Sequence, residues 1–139
     1  MNKEVILDRL QGMKENLAIL EKLKKIPHDE FVETPEIYKL SERCLQISIE
    51  CILDISHYLI AQRDLPRAEG KEAILALGII GVLPKDFAQE ISGMTGFRNI
   101  LIHEYLKIDR EKVYQNTQRV NDFYLFQKLI LKFLAKESP

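Results

Sequence analysis

Strand signals are scarce in this 139-residue chain: apolar–polar alternation is rare and β-branched clusters are short. That argues against sandwiches, barrels and sheet-based nucleotide folds. Cysteine is equally sparse. Cys44 and Cys51 stand seven apart inside an apolar pattern, which excludes a disulfide framework and points to small buried residues in a reducing cytoplasm. No run of eighteen apolar residues occurs, so no membrane span is expected. The start, Met1 to Val5, lacks the apolar core of a signal peptide. No glycine-rich loop precedes a helix, no Glu-x-x-His pair appears, and no Ser–His–Asp or Cys–His set stands out. No metal and no cofactor are therefore expected. Nor is there an excess of positive charge. The net charge is −1 and the pI near 6.3, so any nucleic-acid contact must rest on a local site rather than a broadly basic surface.

What the chain does have is helical periodicity almost throughout. From Lys3 to Lys25, Val5, Ile6, Leu10, Met13, Leu17, Leu20 and Leu23 keep three-to-four spacing until Pro27, and a polar connector is expected from His28 to Glu33. Thr34 then reads as an N-cap with Pro35 at the first helical position and Glu36 complementing the dipole. Ile37, Leu40, Cys44, Ile47, Cys51, Asp54 and Tyr58 form a heptad-like seam with one carboxylate in it; Leu45, Ile49, Ile52 and Leu59 form a second stripe. A helix apolar on two sides belongs in a bundle centre or a dimer interface. Shorter segments follow at Lys71 to Ile80 and from Pro84, the latter interrupted by Gly93 and Gly96. Asp109 is the expected N-cap of one last helix from Arg110 to Ala135. The fold class predicted is all-α: a single up-and-down helical bundle of about five helices, one domain over residues 1–139.

The chemistry-bearing residues cluster in Arg98-Asn99-Ile100-Leu101-Ile102-His103-Glu104-Tyr105. Arginine is a permanent planar cation suited to phosphate, and histidine moves protons near neutral pH. Together they supply what metal-free phosphodiester cleavage needs. Arg-x4-His alone is a loose pattern, equally served by an ordinary ion pair and a satisfied imidazole. In a continuous helix Arg98 and Tyr105 share a face, Asn99 and His103 share a neighbouring one, and Arg98 and His103 diverge by about 140°. Either the helix ends near Ile102 and releases His103, or a second copy supplies the missing groups around a twofold axis.

Phe97 to Tyr105 resembles the Arg-x4-His-x-Tyr signature of HepT-like HEPN-domain toxins. The similarity extends to Leu45–Glu50 and Asp54–His57, to Gly78-Ile79-Ile80, to Met94–Phe97, and to Ile108-Asp109 with Val113-Tyr114. It covers essentially Leu7 to Phe133. The resemblance implies a small all-helical homodimer acting as a metal-independent ribonuclease, with its cleft at the dimer interface. It further implies a toxin–antitoxin pairing with a minimal nucleotidyltransferase of the MntA type, which transfers AMP to the motif tyrosine, here Tyr105. On this reading His103 is general acid or base, Arg98 holds the scissile phosphate, and Asn99 orients His103 or donates to a phosphate oxygen.

Other readings stand beside these. Asp54 is either a partner for Arg98, the favoured assignment because a carboxylate in an apolar seam needs a cation, or a surface acid. His57 and His28 read as packing or connector histidines, Glu104 as solvated, and Tyr105 equally as an interface tyrosine. The alternative function is a non-catalytic module that binds nucleotide or RNA, or docks the nucleotidyltransferase; the acidic pI favours it.

Overall fold

A computed structural model describes residues 1–137, and all regular structure among them is helical. The helices are α1 Lys3–Leu23, α2 His28–Glu33, α3 Pro35–Gln62, α4 Lys71–Ile79, α5 Lys85–Ser92, α6 Met94–His103, α7 Arg110–Thr117 and α8 Val120–Lys136. The all-α expectation holds, with eight helices among the described residues rather than about five. The last two residues of the expected 1–139 domain lie outside them.

The extra helices have local causes. The expected polar connector is α2, opened by Pro27 and held by Phe31, which is fully buried. The expected last helix breaks into α7 and α8 at Gln118-Arg119. There the Thr117 hydroxyl donates to the Val113 carbonyl at 2.7 Å and accepts from the buried Ser41 hydroxyl, pinning the end of α7 to α3. Arg119 pairs with Asp122 at 3.1 Å and closes the turn. Asp109 caps α7 as expected, accepting from the Glu111 amide at 2.9 Å.

α3 is the hub, packing against α1, α2, α4, α6 and α7. Its core face is the stripe Leu45, Ile49, Ile52 and Leu59, each no more than 2% exposed. Burying such a side chain contributes about 1.5–3 kcal/mol. The heptad-like seam lies at the edge of that core: Cys44 and Cys51 are buried, Ile37, Ile47 and Tyr58 half-buried, Leu40 and Asp54 exposed. Ser41, Ser48 and Ser56 are also fully buried; Ser48 and Ser56 donate to carbonyls one turn back at 2.8 Å, so their hydroxyls cost the core little. α3 is long and apolar enough by composition to cross a membrane, but most of its apolar stretch is buried inside the bundle. Burial pushes both thiols above their ordinary pKa, so neither cysteine is a ready nucleophile. α1 and α8 close one side, where the Gln127 amide donates to the Leu10 carbonyl at 2.8 Å.

Candidate active site

Helix α6 carries the motif. Met94, Phe97 and Leu101, at three-to-four spacing, are buried, and α6 packs against α3 and α4. The Thr95 hydroxyl donates to the Ser92 carbonyl at 2.9 Å and ties the start of α6 to the end of α5, across the bend at Gly93. This fixes the roll of α6 and sets Arg98 beside α3. The Arg98 Nε–H donates to Glu50 Oε1 at 2.8 Å, and Nη1 donates to Asn99 Oδ1 at 3.1 Å. The two charged side chains are only 28% and 34% exposed, so the guanidinium is held in one orientation. It lines an open cleft of about 600 Å³ with Glu50, Asp54, His57, Lys71 and Asn99.

His103 is the last residue of α6. The Glu104 amide donates to the Ile100 carbonyl and the Lys107 amide to the Glu104 carbonyl, each at 2.9 Å, so the chain turns at once. His103, Tyr105, Leu106 and Lys107 edge a separate shallow depression of about 320 Å³. His103 is exposed, Tyr105 is 69% exposed and Leu106 84%.

Three expectations change against this geometry. Asp54 does not pair with Arg98; it accepts from Arg9 Nε of α1 at 3.0 Å, and its side chain is 48% exposed. Its seam runs along the bundle's edge, so solvent and Arg9 satisfy it, while Glu50, one turn earlier, takes Arg98. Glu50 is the site residue that sequence reasoning missed. Its one available signal is the i,i+4 spacing to Asp54, which puts both acids on one face of α3. Asn99 bonds Arg98, so its carbonyl oxygen orients the guanidinium rather than His103. Tyr105 lies beyond the end of α6, so it does not share a helical face with Arg98.

The structure thus gathers Arg98, Asn99, Asp54 and His57 at one cleft and sets His103 and Tyr105 at another. Because α6 is unbroken from Arg98 to His103, those two side chains leave it about 140° apart and displaced about 7.5 Å along its axis. His28 lines neither of them. It bridges Asp29 and Glu111, and these hydrogen bonds raise its pKa.

Comparison with known proteins assigns this all-helical chain to a family of ribonuclease-like proteins. Residues 13–130 match the family model described as Ribonuclease HepT-like, and the chain belongs to that family. A tRNA nuclease HepT of Aphanizomenon flos-aquae is 29% identical over 111 residues, covering 79% of this chain and 76% of that protein. Among solved structures, the fold matches a complex of the tri-AMPylated Shewanella oneidensis HEPN toxin with its MNT antitoxin. The TM-score is 0.81 at 19% identity, over 95% of this chain and 99% of the other. A toxin–antitoxin complex containing MntA matches with a TM-score of 0.80 at 18% identity, over 93% and 98% of the two chains. At these identities the solved structures establish a shared fold.

Proposed function

We propose that this protein is an endoribonuclease toxin that cuts RNA by metal-independent transesterification in a cleft formed by two copies of the chain. The observation that carries the reading is the opposed placement of Arg98 and His103 on α6. Each is accessible, yet one copy cannot aim both at the same phosphate. A twofold arrangement with the two α6 helices side by side brings the Arg98 of one copy to the His103 of the other.

In that cleft Arg98, oriented by Glu50 and Asn99, binds the scissile phosphate through its terminal nitrogens and stabilises the charge that develops on it. His103 takes the proton from the ribose 2′-hydroxyl, whose oxygen attacks phosphorus. The bond to the 5′-oxygen breaks, and that oxygen receives a proton from the second copy's imidazole. The products are a 2′,3′-cyclic phosphate and a 5′-hydroxyl. Transfer RNA is the first substrate to test, in line with the name of the Aphanizomenon flos-aquae relative.

The partner in this reading is an MntA-type minimal nucleotidyltransferase that acts as antitoxin. Tyr105 presents its hydroxyl to solvent just past His103. AMP transferred to it adds phosphate charge at the mouth of the cleft and blocks an RNA strand. The protein is expected to work in the cytoplasm. A second reading, a non-catalytic RNA-binding or docking module, draws on the balanced charge of the chain. Purified protein incubated with transfer RNA in EDTA separates the two: cleavage lost in Arg98→Ala and His103→Ala supports the enzyme. Intact RNA with unmodified Tyr105 supports the module.

A further inference from the structure

Arg9 of α1 lies outside the motif yet repeats its geometry. Asp54 and Glu50 stand at i,i+4 on α3, and each accepts from an arginine of a different helix: Arg9 at 3.0 Å and Arg98 at 2.8 Å. In both pairs the carboxylate takes the Nε–H. Both terminal nitrogens of Arg9, and Nη2 of Arg98, take no part in these bonds. The terminal fork is the end of a guanidinium that grips phosphate bidentately.

The two sites are neighbours. A groove of about 250 Å³ lined by Arg9, Asp54, His57 and Tyr58 has Asp54 and His57 as walls in common with the Arg98 cleft. The carboxylates that hold the arginines are one helical turn apart, about 6 Å along the axis of α3. That is the order of spacing between successive phosphates of an extended single strand. Nor does fold stability explain the outer pair. Arg9 and Asp54 are 47% and 48% exposed, and ion pairs so open to water add little to stability. Between them the two depressions are lined by Arg9, Lys71 and Arg98 and by Glu50, Asp54 and Glu69. The surface is therefore electrically balanced, and binding rests on directed forks rather than a diffuse positive field.

We infer that Arg9 forms a second phosphate subsite, which holds the phosphate next to the scissile one and sets the path of the RNA strand along α3 toward Arg98. This subsite rests on the ribonuclease reading for the meaning of the Arg98 cleft, but its occupation by a strand does not require cleavage.

The test is salt-dependent binding of a short single-stranded RNA with 2′-O-methyl riboses, which cannot be cut, to the full-length protein. Arg9→Ala is expected to weaken binding on the order of tenfold, the loss of one charge-assisted contact. The slope of log affinity against log salt should become shallower by about 0.7, the share of one phosphate on a single strand. Arg9→Lys should restore the slope, because it keeps the charge, but not the full affinity, because it lacks the fork. Arg9→Gln, which can still donate to Asp54, replaces the alanine variant if that fails to fold. Affinity and slope unchanged in these variants would overturn the subsite. Wild-type protein that binds with Arg9-dependent slope yet cuts no RNA would keep the subsite and overturn the ribonuclease reading instead.

Discussion

Glu50 holds Arg98 by the Nε–H at 2.8 Å, and this one bond decides which end of the motif guanidinium faces the cleft. With Nε on Glu50 and Nη1 on Asn99, Nη2 is the guanidinium nitrogen outside these bonds and the one left for a phosphate.

Glu50→Ala should therefore slow RNA cleavage about tenfold to a hundredfold through misplacement of the guanidinium, while the fold persists. Glu50→Gln keeps an acceptor for Nε–H and should fall between wild type and alanine. Steady-state kinetics and thermal melts on the three proteins check this. A melt that drops in step with the rate would make the bond merely structural.

Leu106, 84% exposed immediately after Tyr105, is a large apolar side chain left in water. A copy-to-copy contact at the motif end of α6 would cover it. Leu106→Asp should shift the protein toward monomer in analytical ultracentrifugation and lower cleavage with it. A monomeric wild type would remove the basis of the two-copy cleft.

His28 contributes to stability in a definite pH direction. Hydrogen bonds to Glu111 and then Asp29 raise its pKa above the ordinary 6.5. The folded state thus binds the proton more tightly than the unfolded one. The benefit is complete below pH 6.5 and fades as pH rises through the raised folded value. Thermal melts at pH 6 and pH 8 should show the wild type losing more than His28→Gln over that interval. Because the site is open to solvent, the difference should be small and should shrink in high salt.

Gly78 lies where α4 and α5 touch. A Cβ there would stand 3.0 Å from Ala88 Cβ and 3.3 Å from Lys85 Cα, and backbone cannot move aside cheaply. Alanine gains helix propensity, up to about 1 kcal/mol, but overpacking costs about 1–3 kcal/mol. Gly78→Ala should come out destabilised, with a melting temperature lower by about 3 °C for a loss near 1 kcal/mol.

The helices were readable wherever a period met a punctuation mark. Thr34-Pro35, Pro84 and Asp109 each sit at a boundary the structure keeps, whereas Pro27, expected to stop the first helix, instead opens α2. The break at Gln118 has no such mark. It depends on Ser41, 76 residues away, reaching Thr117, which no local pattern can reveal. The site divides in the same way. Arg98, Asn99, His103 and Tyr105 are close in sequence, but the structure divides them between two depressions, which spacing alone does not reveal. Which acid meets Arg98 depends on where α6 sits along the axis of α3. A one-turn difference exchanges Glu50 for Asp54, and both fit the pattern. Arg9 was invisible for a similar reason: only the packing of α1 on α3 brings it to Asp54.

The most direct measurement is cleavage of transfer RNA by partner-free protein in EDTA, with Tyr105 shown by intact mass to be unmodified. Arg98→Ala and His103→Ala are run beside it. The account predicts cleavage by wild type alone, leaving 2′,3′-cyclic phosphate and 5′-hydroxyl ends. RNA left intact by wild type, or cut equally well by His103→Ala, would contradict it.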